Sequence, residues 1–131
     1  MMLGVVSDRI SGLVFIGIGV LLLAFCVHTA MATRSFIQTA TRADGIVTKL
    51  NAGGSHPEIQ FTTPENQKIS YPQGGLIFGF HPGDRVTVMF DAANPSGTAT
   101  IDKVGALWFT TLMSSLIGAT CLVAGAVAWW R

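Results

Sequence analysis

Hydrophobic and polar positions follow two rhythms along this chain. No charged side chain occurs between Arg9 and Arg34, and residues 10–32 are nearly all apolar or small. None occurs between Lys103 and Arg131, and residues 104–130 repeat the pattern. A helix needs roughly 20 apolar residues, at about 1.5 Å rise each, to cross about 30 Å of bilayer hydrocarbon. Both blocks qualify as membrane spans. Two buried helices of a soluble core would need a much larger protein around them. Trp108 lies near one end of the second block, and Trp129 and Trp130 at the other. Indole rings favour those membrane–water boundaries.

Between the blocks the rhythm shortens to an alternation of period two, punctuated by turn residues. Strands are predicted over 45–50, 58–63, 67–71, 85–90 and 98–101. The turns fall at Asn51-Ala52-Gly53-Gly54, Pro64-Glu65-Asn66, Pro82-Gly83-Asp84 and Asn94-Pro95-Ser96-Gly97. So small a sheet pairs its edges by curling, which predicts an antiparallel β-barrel or sandwich of about five strands. Its expected interior is Ile46, Ile59, Phe61, Ile69, Tyr71, Val86, Val88, Phe90 and Ile101. The predicted organisation is a tail at 1–9, a span at 10–32, a connector at 33–43, a β domain at 44–102 and a second span at 104–130.

Composition narrows the function classes. Of 131 residues, 50% are hydrophobic and only 11% charged. Eight basic side chains face seven acidic ones, which removes the dense basic footprint that nucleic-acid binding requires. High hydrophobicity excludes intrinsic disorder. Two cysteines are too few for a disulfide scaffold. Placed on antiparallel helices, Cys26 and Cys121 differ in depth by about 13 Å, beyond the span of a disulfide. Ala30-Met31-Ala32 has the form of a signal-peptidase site. The apolar run before it exceeds the roughly 7–15 residues of a cleaved signal, so 10–32 is read as an uncleaved anchor. Phe25, bulky and just before Cys26, argues against a lipoprotein site.

One stretch carries a family resemblance. After the first span come Gly45-Ile46-Val47 and Pro57-Glu58-Ile59-Gln60-Phe61-Thr62-Thr63. Then follow Pro82-Gly83-Asp84-Arg85-Val86-Thr87-Val88-Met89-Phe90-Asp91, Asn94-Pro95 and the second span. This order resembles the bacterial membrane proteins grouped as domain of unknown function 3592, which close a β domain between two helices. Phe90 stands where that family usually has Tyr, and Ala92 where it usually has Pro. The resemblance implies architecture and a bacterial cell membrane, and no activity. The physics of Gly83, Asp84, Asp91, Asn94 and Pro95 is that of a structural turn. Gly83 permits a positive φ, Asp84 accepts from nearby amides, and Pro95 holds Asn94 extended.

Sites for chemistry are scarce. His28 lies inside the first span near its end. His56 and His81 precede prolines in loops and, with Asp84, lack metal-ligand spacing. No catalytic triad and no phosphate-cradling loop is present. Neither enzyme activity nor a cofactor or metal is expected. Thr111, Ser114, Gly118, Cys121, Gly125 and Ala128 form a seam spaced 3, 4, 3, 4, 3, and Gly12, Gly19, Cys26 and Thr33 recur every seven residues. Small residues let membrane helices approach closely, so these positions are expected to pack against a helix of this chain, a second copy or another protein. Leu76, Ile77, Phe78 and Phe80 form an apolar, glycine-flanked loop that either contacts a partner or membrane or plugs the β domain.

The expectation is a non-catalytic inner-membrane protein with cytoplasmic termini and a periplasmic β domain. Its partners are the lipid bilayer and a protein or second copy, and it acts as an accessory or scaffolding subunit. Two other readings stay open: an immunity-type protein that neutralises a membrane-acting toxin, and a metal-binding accessory of an enzyme or transporter.

Overall fold

A computed structural model describes residues 2–131. The chain runs α1 (Met2–Thr39), β1 (Thr41–Asn51), β2 (His56–Thr62), β3 (Lys68–Pro72), β4 (Arg85–Phe90), α2 (Pro95–Thr98), β5 (Thr100–Ile101), α3 (Val104–Leu107) and α4 (Phe109–Trp130). It divides into two compact units. One holds the described residues up to Met31 with Thr110–Arg131, and the other is Ala32–Phe109.

The helical unit is built from α1 and α4, of 38 and 22 residues, or about 57 and 33 Å of helix. The described part of the expected tail and most of the connector are helical, a difference from the predicted boundaries. No proline interrupts residues 2–39, so the helix propagates until Ala40, whose N–H still bonds the Phe36 carbonyl at 2.8 Å. Strand β1 starts at the next residue. The block at 104–130 is instead broken, because Trp108 leaves helical geometry between α3 and α4. Large apolar side chains of both long helices, among them Leu13, Val20, Leu21, Leu116 and Val123, are exposed. A water-soluble monomer rarely carries that much contiguous apolar surface.

The β unit is a five-stranded antiparallel sheet of order β3-β2-β1-β4-β5, curled into a half-barrel. It does not close into a barrel, since β3 and β5 remain edges. The hairpins β1–β2 and β2–β3 come from local turns, with Asn66 at φ 67 in the second. The chain then crosses two strands to reach β4, which pairs with the far side of β1. That crossing explains why residues 74–80 are apolar: Ile77 is buried and Phe80 packs on the core. Phe61 packs at a tilt of 35° against Phe90, ring centres 5.2 Å apart, and meets Tyr71 edge-on at 6.0 Å.

One expected core position is wrong by a single residue. Val47 is buried opposite Ile59, while Ile46 is 40% exposed. Turning Ile46 inward would take charged Asp44 with it, whereas the observed phase takes Ala43 and Gly45. Gly45 is buried because Val88 fills the space its side chain would occupy. The last strand is also shorter than predicted. Asn94 caps a helical turn over Pro95–Thr98, which leaves only Thr100–Ile101 to pair with β4.

Candidate functional site

Within the helical unit the small residues bring two backbones together. A Cβ on Gly12 would lie 3.0 Å from the Gly125 carbonyl oxygen, and one on Gly19 would lie 2.9 Å from that of Gly118. A Cβ on Gly125 would lie 2.7 Å from Ile16 Cγ1 and 2.8 Å from the Gly12 oxygen. Ala128 approaches Gly12, and Ser114 is buried with its hydroxyl on the Thr111 carbonyl at 3.1 Å. Thr29 and Thr111 share a hydroxyl hydrogen bond of 2.9 Å, and Cys26 donates to the Thr111 carbonyl at 3.5 Å. Cys26 and Cys121 are free thiols. Cys121 lies ten positions beyond Thr111 on α4, about 15 Å of rise. At the far end of this helix pair, the Arg9 guanidinium sits 5.6 Å over the Trp129 ring. His28 is exposed on the opposite side of α1.

In the β unit the turn residues are occupied by backbone. The Gly83 N–H donates to the Val47 carbonyl at 2.7 Å, and Gly83 itself has φ +97. Asp84 Oδ2 accepts from the His81 N–H at 2.8 Å, while the His81 ring nitrogen stays 3.8 Å away. Asp91 Oδ1 accepts from the Ala93 N–H at 2.9 Å, and Asn94 Oδ1 accepts from the Gly97 N–H at 3.2 Å, with Pro95 opening the turn. Oxygens held this way orient chain segments rather than a ligand.

The loop at 74–80 is pinned to α3. The Leu76 N–H donates to the Gly105 carbonyl at 3.2 Å, and side chains on Gly75 or Gly105 would collide with the opposing carbonyl. Ile77 points into the core, while Leu76 and Phe78 project outward at 55% and 64% exposure. A groove of about 530 Å³ lies between residues 76–80 and 103–105.

Gln73 is the residue that reading the sequence missed. It is buried at 3% exposure and makes four hydrogen bonds. Its Oε1 accepts from the Tyr71 hydroxyl and the Ile101 N–H, both at 2.9 Å. Its Nε2 donates to the Gly74 carbonyl and the Thr100 hydroxyl, both at 3.1 Å. One amide thus bridges the end of β3 to β5, the two edges that no strand ladder joins. A glutamine directly after Pro72 was the available signal. Its side chain can serve as donor and acceptor where a proline has just ended the strand. Burial pushes the Tyr71 phenol above its ordinary range.

Among the described residues no group of three or more His, Cys, Asp or Glu is placed to hold a metal ion. The structure does not bring His56 and His81 into such a group, so the metal-accessory reading gains no support. The Nδ1 of His56 is buried without a partner at the β1–β2 turn.

No family model matches this chain, and no solved structure matches it. A curated protein does. Immune protein Tsi4 of Pseudomonas aeruginosa is 43% identical over 110 residues, covering 79% of this chain and 74% of that protein. The chain belongs to the family of immune protein Tsi4. In this Tsi4-family protein the structure brings together Gly12, Gly19, Gly118, Gly125 and Ala128, and separately Cys26 with Thr111. It splits the apolar loop into buried Ile77 and exposed Leu76 and Phe78. The helix-facing seam of the Tsi4-family chain is occupied by its own second helix, which leaves the outward faces of α1 and α4 for other contacts.

Proposed function

We propose that this Tsi4-family chain is an immune protein of the bacterial inner membrane that neutralises a membrane-acting toxin by direct contact. The observation that carries the proposal is the 43% identity, across 79% of the chain, to a protein named for immunity. That kinship favours protection over the scaffolding role expected from the sequence. Both roles work through protein contact, and neither requires bond-making chemistry.

Two features support membrane anchoring. Helices α1 and α4 are long and apolar enough to cross a bilayer, and most of their span surface is unburied. The charged residues of α1, Asp8, Arg9 and Arg34, flank an uncharged stretch of about 36 Å. In the topology we propose, both termini lie in the cytoplasm and the β unit in the periplasm: Arg9 stands directly before the first span, and the region between the spans is long enough to translocate largely regardless of its charge. In that arrangement the protein meets a toxin at the membrane the toxin attacks.

Deleting the gene tests this. The deletion strain should grow normally alone and be outcompeted in dense mixed culture with its parent, with rescue by a plasmid copy. Affinity capture from the membranes of the complemented strain should then retain a toxin. Equal fitness of the deletion strain in mixed culture would overturn the proposal.

A further inference from the structure

We propose that Leu76, Phe78 and Val104 form an interfacial foot that seats the β unit on the lipid surface. The inference rests on the membrane reading of α4 and adds a site to it. These three side chains are 55%, 64% and 66% exposed, in a unit whose other large apolar residues mostly face its core. They come from two separate segments held side by side by the Leu76 N–H bond to the Gly105 carbonyl and by the close backbone approach of Gly75 and Gly105. Such a clamp presents the apolar tips on a rigid base, where a polar loop would serve solubility better.

Chain continuity selects lipid as the occupant. Val104 precedes the first residue of α4 by five positions. Helix α4 is about 33 Å long and matches a hydrocarbon core of about 30 Å, so Phe109 falls at the hydrocarbon boundary. Val104–Leu107 is itself one helical turn of about 6 Å and only Trp108 separates it from α4, which keeps Val104 within reach of the headgroup layer of about 5–8 Å on each side of that core. Lys103 and Trp108 flank the segment. Lys103 is exposed and has no carboxylate partner among the described residues, because neighbouring Asp102 pairs with Arg42 at 2.9 Å. An apolar tip beside a free cation and an indole is the composition of an interfacial anchor, with the ammonium set for lipid phosphates.

The test uses the full chain alone, reconstituted in vesicles of phosphatidylcholine and phosphatidylglycerol with brominated acyl chains. In a Cys26→Ser, Cys121→Ala background, Phe78→Cys and Val104→Cys are each labelled with an environment-sensitive nitrobenzoxadiazole probe. Val123→Cys, on the outward face of α4, reports insertion, and Glu65→Cys, in the β2–β3 turn, reports water. Quenching at positions 78 and 104 should be at least half as strong as at 123, with position 65 at the buffer level. Quenching at 123 with 78 and 104 no different from 65 would overturn the foot and leave the spanning helix intact. No quenching at 123 would overturn the membrane reading and the foot with it.

Discussion

Replacing Gln73 with Leu should open the half-barrel along its unpaired seam. Leucine retains most of the volume and removes all four hydrogen bonds. The Thr100 hydroxyl and the Gly74 carbonyl are close enough to the surface to find water. The Tyr71 hydroxyl and the Ile101 N–H are not: both belong to buried residues, Ile101 at 0% exposure. Each stranded buried donor costs about 1–3 kcal/mol, so Gln73→Leu should cost about 2–6 kcal/mol. That is a large share of the roughly 5–15 kcal/mol that holds a typical domain. Tyr71→Phe alone should cost about 0.5–1.5 kcal/mol, since Gln73 keeps its bond from Ile101. In the Phe background, Gln73→Leu strands one donor rather than two, so the cycle should show a coupling of about 1–3 kcal/mol. The helical and β units need not unfold together, so the measurement must be local. Native-state hydrogen exchange of the β4–β5 peptide in detergent supplies it, because the Ile101 amide is itself the reporter. Unchanged Ile101 protection in Gln73→Leu, or purely additive single and double variants, would refute the bridge.

Three further outcomes are expected. Gly125→Leu should cost about 1–3 kcal/mol or more by forcing α1 and α4 apart. Gly17→Ala, whose added Cβ meets nothing within 4 Å, should stabilise by up to about 1 kcal/mol; equal melting of these two variants in detergent would contradict the packing. Tyr71 is the single tyrosine, so phenolate absorbance titrates it alone. Its folded pKa lies above the ordinary 10.0, so the unfolded chain releases the proton first. Stability should therefore be unaffected by this group below pH 10 and fall by up to about 1.4 kcal/mol per pH unit above it. Tyr71→Phe should remove that slope, and an identical alkaline melting profile would argue against the cause. Gly75→Ala meets both a φ of +89 and the Gly105 carbonyl. It should cost about 1–2 kcal/mol for handedness plus about 1–3 for overpacking, read as faster exchange of the 74–80 segment; native exchange there would count against the clamp.

Much of the fold is legible without coordinates because the signals are local. Strand β4 begins and ends where the alternation of Val86, Val88 and Phe90 predicts. The Asp84, Asp91 and Asn94 turns follow from side chains reaching amides two or three residues away. Val47 over Ile46 was not legible, because two adjacent branched residues fit either phase of a short strand. The facing strands make the choice, and the charge of Asp44 two positions earlier was the hint. The broken helix at Trp108 was equally hidden, since the apolar run continues unbroken through it.

Hydropathy and spacing by themselves determined two long apolar helices, an alternating β region between them and a repeating row of small side chains, because each is a property of neighbours along the chain. Only tertiary structure decided which surface each pattern meets. The glycines of α4 face Gly12 and Gly19, residues 74–80 divide into a core plug and an exposed tip, and Gln73 joins two edges that lie 28 residues apart in sequence. Such choices depend on pairings between distant segments, and a pairing of that kind leaves no periodicity in the chain that makes it.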